Sequence, residues 1–100
     1  MVKRVVQNRR YLRGRDGGNV LISRTAFCTM IGVSEQQLAL WEHEALLVPA
    51  RVLGSAGRAQ PLYDRNALER ARLIRTLEQE LEVNLPGIGI ILDLLDRLDR

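Results

Sequence analysis

The sequence predicts a mainly α-helical domain of about four helices with one short β-hairpin. Three observations lead there. Apolar residues recur at spacings of three and four in four stretches, near 24–31, 34–46, 64–81 and 85–98. A short oxygen-bearing side chain opens each stretch, namely Ser23, Ser34, Asp64 and Asn84, as helix N-caps do. Between the second and third stretches, residues 50–63 read "RVL", a Gly/Ser-rich turn and "PLY", the pattern of a small hairpin.

The chain opens on a basic arm, residues 1–18, followed by the folded domain, 19–100. Residues 1–24 carry seven basic residues against one acid, a local balance of +6. Residues 25–100 carry eight arginines against eleven acids, a balance of −3. The net +3 of the whole chain therefore hides a basic arm on a slightly acidic body. Two readings of the arm stand: a solvated tail, or a segment whose arginines, Arg13 and Arg15 among them, touch phosphates or an acidic partner. "RGRDGGN" (13–19) reads as a turn or linker, and "NVLIS" leads into the domain.

In the first helix, Ala26, Phe27, Met30 and Ile31 have the spacing of a buried face, and Gly32 ends it. "GVS" is then a tight turn. Ser34 caps the second helix, and Gln37 three residues later fits a capping box. Leu38, Trp41 and Ala45 share one face of that helix and are expected in the core. Leu40 falls off that face and is expected to be partly exposed. The third helix carries a stripe of Ala67, Leu68, Ala71, Ile74, Leu77 and Leu81. In the fourth, Pro86 is tolerated in the first turn, where its missing N–H costs little. Ile88, Ile91, Leu92, Leu94, Leu95 and Leu98 then form an apolar face wider than one intramolecular contact requires. A homodimer contact through Ile91, Leu94, Leu95 and Leu98 is expected.

Several function classes are set aside. There is no Gly-rich phosphate loop, no His/Asp/Ser constellation and no metal-ligand spacing, so no enzyme, cofactor or metal is expected. His43 has no second histidine to pair with. Cys28 is the single cysteine, which rules out an internal disulfide or a zinc cluster; it reads as a small buried hydrophobe. No membrane span is present, since "LPGIGIILDLL" is broken by Gly87, Gly89 and Asp93. The charged N-terminus has no following apolar core of a secretory signal. A cytoplasmic location is expected.

The order of helix, turn, capped helix, hairpin and two helices resembles the MerR-type winged helix-turn-helix. "LALWEHEALLVPAR" is similar to the family signature of an aromatic-Glu pair followed by Gly-Leu-Leu and Pro. "LYDRNALERARLIRTLEQEL" is similar to its wing end and third helix. "EVNLPGIGIILDLL" resembles the fourth-helix entry of two subfamilies. One is CbpM, a chaperone modulator that binds the J-domain of the co-chaperone CbpA; the other is the heat-shock repressor HspR. The pair "FC" in the first helix and the "NLPGI…ILDLLDRL" ending look more like CbpM.

Two departures from the DNA-binding members point the same way. The DNA-binding members usually carry Arg three residues before the Glu of the aromatic-Glu pair, where this chain has Ala39. They usually carry a Gly-aromatic-Arg-Arg-Tyr wing, where this chain has "AQPL" before Tyr63. A helix in the major groove needs Arg, Lys, Asn or Gln to reach base edges and phosphates. The second helix offers Gln36 and Gln37 beside Glu35, Glu42 and Glu44. The resemblance thus implies a CbpM-like modulator. It would bind the J-domain of a DnaJ/CbpA-type co-chaperone through Glu35, Leu40, Glu42 and Glu44, and inhibit its action on Hsp70. The alternative is a MerR/HspR-type DNA-binding transcriptional regulator, using Arg13, Arg15, Gln36, Gln37, Arg51 and Arg58. The acidic second helix disfavours DNA.

Overall fold

The computed structural model describes residues 20–55 and 57–99. Strand β1 is Ile22–Ser23, followed by helix α1 (Arg24–Ile31) and helix α2 (Glu35–His43). Strands β2 (Arg51–Leu53) and β3 (Gln60–Tyr63) form the wing, and helices α3 (Arg65–Arg75) and α4 (Leu85–Leu98) complete the domain. Between the last two, Thr76–Glu80 continues α3 as a π-helical turn. Among the described residues no helix is long and apolar enough to cross a membrane.

The four expected caps form as read. Ser23, Ser34, Asp64 and Asn84 accept backbone N–H bonds from Ala26 (3.2 Å), Gln37 (3.0 Å), Ala67 (2.9 Å) and Gly87 (2.8 Å). Each satisfies one of the donors that a helix start leaves unpaired. The capping box at Ser34 is half-formed, however. The Gln37 side chain does not turn back to the cap. Its Nε2 donates to Glu78 Oε1 at 2.8 Å, tying α2 to the π-turn. Gly87 is needed where it stands, because a Cβ there would lie 2.9 Å from Val83 Cγ1 and 3.1 Å from the capping Oδ1 of Asn84.

The wing and β1 form a three-stranded sheet in the order β1-β3-β2. β2 pairs antiparallel with β3 through Arg51–Leu62, Val52–Pro61 and Leu53–Gln60, and β1 adds Ile22–Tyr63 and Ser23–Leu62. The expected hairpin is present, and "NVLIS" does more than lead into the domain, since its Ile22 and Ser23 make an edge strand. Pro61 fits in the central strand because β1 stops short of it, so the missing N–H breaks no second ladder.

α1 is the hub, packing against α2, α3, β1 and β3. Phe27, Leu38, Trp41, Tyr63, Ile74 and Ile88 lie fully inside, and Cys28, Ile31, Leu68 and Leu77 are buried with them. Phe27 and Tyr63 stack with ring centroids 4.2 Å apart and planes 16° from parallel. The Trp41 indole N–H has no hydrogen-bond partner among the described residues. Cross-bracing comes from Arg70. Its Nε donates to the Leu46 carbonyl (2.8 Å) and its Nη1 to Asp96 Oδ1 (3.3 Å), joining the turn after α2 to α4.

Four expected core positions lie elsewhere. Met30 is 49% exposed and Ala26 is also exposed, because α1 has eight residues and one side of it faces solvent. Leu81 is 63% exposed, since the π-turn ends before it and rotates it off the α3 stripe. Ala45 is half-buried beyond the end of α2. There the chain closes with Ala45 N–H to Glu42 O and Leu46 N–H to Trp41 O, both 2.9 Å. This is a Schellman closure, and it holds Ala45 at φ 60°. Glycine normally occupies that conformation, as Gly32 does at φ 84° after α1.

Candidate partner-binding surface on α2

The Ser34 cap fixes where α2 begins, and the inward pair Leu38 and Trp41 fixes its rotation. The outward side follows from the 3.6-residue period. Glu35, Gln36, Ala39, Leu40, His43 and Glu44 are exposed, with Leu40 at 42%. No lysine or arginine occurs between Ser34 and Ala50. The face is thus an apolar centre, Ala39 and Leu40, with an amide and an imidazole beside it and carboxylates at both ends.

Glu42 sits apart from that face. It is half-buried, and both of its carboxylate oxygens are taken. Oε1 accepts from Arg24 Nη1 at 2.8 Å, and Oε2 accepts from the Tyr63 hydroxyl at 2.5 Å. That hydroxyl in turn accepts from Arg24 Nη1 at 2.7 Å. The three groups close a ring joining the start of α1, the end of α2 and the last wing residue. Arg24 also reaches Glu35, with Nε 3.6 Å from Oε1 and Nη2 donating to the Glu35 carbonyl at 3.4 Å. Thr25 donates to Glu35 Oε2 at 3.4 Å.

The electrostatics of the ring follow from its burial. Burial, reinforced by the Glu42 hydrogen bond and charge, pushes the Tyr63 hydroxyl well above the usual tyrosine range, against the opposing influence of Arg24. For Arg24, burial works against the cation. The hydrogen bond to Glu42 and its charge outweigh that penalty, so the guanidinium is held charged more firmly than usual. Burial likewise raises the Cys28 thiol, partly opposed by Arg24. That keeps it protonated and inert as a nucleophile.

The other named residues fall into three groups. Arg13 and Arg15 lie outside the described residues. Gln36, Arg51 and Arg58 are exposed, whereas Gln37 is half-buried and committed to Glu78. On α4, Ile91 is half-buried against the core, while Leu94, Leu95 and Leu98 are 51%, 41% and 80% exposed. Ile90, 62% exposed, stands in one row with Leu94 and Leu98 and belongs with them. Sequence reasoning also passed over Arg24 as a partner of Glu42. The available signal was indirect: an arginine opening α1 and a tyrosine closing the wing, both converging on the glutamate of the aromatic-Glu pair.

This geometry accounts for the residues that carried the resemblance. Trp41 is the core anchor of α2, Glu42 the polar lock to Tyr63, and "NLPGI" the capped entry of α4. A family profile described as "MerR HTH family regulatory protein" matches residues 22–100. The chain belongs to the MerR HTH family. Within a shorter stretch it is similar to chaperone modulatory proteins CbpM of Coxiella burnetii. Those of strains Dugway 5J108-111 and CbuG_Q212 are each 43% identical over 37 residues, which is 37% of this chain and 35% of the relative. The matched stretch therefore spans about a third of those relatives. No solved structure matches. Both the family and these relatives are named for regulation and modulation, not for catalysis.

Proposed function

We propose that this chain is a CbpM-like chaperone modulator that binds the J-domain of a DnaJ/CbpA-type co-chaperone and inhibits its action on Hsp70. One observation carries the reading. The helix that a DNA-binding relative would lay in the major groove exposes Glu35, Gln36, Ala39, Leu40, His43 and Glu44, with no lysine or arginine. Phosphates would be repelled by such a face, whereas a basic protein helix would be attracted and steered by it. The likeness to CbpM supports the choice of partner. Leu40 provides the apolar contact, and Glu35 and Glu44 flank it. Glu42 shapes the same surface from behind by holding Arg24 and Tyr63. A homodimer through α4, in a cytoplasmic protein without cofactor or metal, completes the proposal.

The experiment is J-domain-stimulated ATP hydrolysis by Hsp70, titrated with this chain. The stimulated rate should fall to the unstimulated Hsp70 rate as the chain saturates the J-domain, and Leu40→Asp should abolish the effect. A stimulated rate unchanged at saturating chain would contradict the proposal.

The second reading is a MerR/HspR-type DNA-binding regulator. The exposed wing arginines Arg51 and Arg58 favour it, since they face solvent without acidic neighbours between Ala45 and Leu62. With Gln37 committed to Glu78, only Gln36 remains on α2 to address a base edge. That is a thin basis for sequence-specific recognition.

A further inference from the structure

We infer that Arg24 is the molecule's own counter-ion to α2, and that it sets how strongly this helix attracts a basic partner. The inference rests on the reading of α2 as a partner-binding face and goes beyond it. Of the three carboxylates on α2 and its C-cap, Glu42 is ion-paired with Arg24 at 2.8 Å and Glu35 lies 3.6 Å from it, while the capping Glu44 at the far end is exposed. A guanidinium comes from another helix and occupies the position at which a partner's lysine or arginine would neutralise Glu35 and Glu42.

The site is built to keep that cation in place. The Arg24 and Glu42 side chains are 24% and 22% exposed, so their attraction is less screened than that of a free surface pair. The Tyr63 hydroxyl accepts from Arg24 and donates to Glu42, which ties the pair to the buried end of the wing. An incoming base therefore meets Glu44 in full, Glu35 in part and Glu42 hardly at all. The result is a face of moderated acidity: attractive enough to orient a basic helix, too weak to hold any basic surface indiscriminately.

A charge cycle tests the inference: wild type, Arg24→Gln, Glu42→Gln and the double variant. Each is titrated at low and high salt against two probes, a short alanine–lysine helical peptide and the J-domain of a DnaJ-type co-chaperone. Binding is followed by amide shifts of Glu35, Glu42 and Glu44. Arg24→Gln should bind both probes roughly three- to tenfold tighter at low salt, with the gain fading at high salt. Glu42→Gln should weaken binding by a similar factor, and the double variant should return to wild type. Arg24→Lys, which keeps the charge, should also stay near wild type. Peptide binding by Arg24→Gln no tighter than wild type would overturn the inference. So would a double variant that failed to restore wild-type binding. If Arg24→Gln does not fold, Glu42→Gln against the double variant makes the same decision. A normal peptide cycle with no J-domain binding by any variant would reject the proposed partner and leave the counter-ion role supported.

Discussion

α2 and α4 are both amphipathic, yet they present opposite kinds of surface. α2 exposes one large hydrophobe, Leu40, among carboxylates and an amide. α4 exposes Ile90, Leu94, Leu95 and Leu98 along its outer side. Their inner faces differ as well. α2 is anchored by Trp41 and locked by the Arg24–Glu42–Tyr63 ring, while α4 buries Ile88 and Leu92 and is braced by Arg70–Asp96. The two surfaces suit different kinds of contact. A charged, sparsely apolar face suits fast, salt-sensitive and reversible contact, whereas a contiguous apolar row suits an interface that stays closed.

The harshest way to break the comparison is to remove the anchor of α2. Trp41→Ala should cost about 3–5 kcal/mol, read as a large fall in the midpoint of thermal or urea unfolding. A change of only a degree or two in melting temperature would place Trp41 outside the core. Next comes α4. Leu94→Asp with Leu98→Asp should abolish self-association seen by sedimentation at tens of micromolar, with helix content unchanged. A wild type that is monomeric there would remove the dimer from the account.

A milder change sharpens the α2 side. Ala45 stands at φ 60° where the family signature has glycine. Ala45→Gly should therefore stabilise the fold by about 1 kcal/mol, by relieving the left-handed strain. A loss of stability in denaturant unfolding would show that the Ala45 methyl contributes more by packing than it costs in strain. The smallest effect concerns pH. The Tyr63 hydroxyl is raised in the folded state, so below pH ~10 it is neutral in both folded and unfolded chains. Above that, the unfolded chain loses the proton first, and stability falls as pH rises. Melting temperatures from pH 8 upward should show a decline above about pH 10 that Tyr63→Phe reduces.

The fold was largely legible because its determinants are local. Caps and stripes placed α1 and α4 to the residue, and the turn residues of 50–63 marked the wing. What escaped depends on contacts between distant segments. Met30 and Leu81 fit their stripes by spacing, but which side of a helix is covered depends on what packs there. β1 is two residues long and visible only through its pairing with β3. The site was legible as an outward acidic helix, and not as a network. Arg24 and Glu42 are 18 residues apart, and Arg24 and Tyr63 are 39 apart, so no periodicity links them. Gln37, equally, reads as a capping-box residue, and 41 residues later Glu78 captures it.

The central claim is that α2 faces a basic protein and not DNA. Its most direct test is a paired titration of wild type and Glu44→Lys against a DnaJ-type J-domain and against duplex DNA, at low and high salt. Glu44 is the target because its reversal leaves the Arg24–Glu42–Tyr63 ring intact. The account predicts J-domain binding that weakens with salt and weakens further in Glu44→Lys, mainly through slower association. Any DNA binding by the wild type should be weak, independent of sequence and improved by the same substitution. Tight, sequence-selective DNA binding by the wild type, lost in Gln36→Ala, would contradict it.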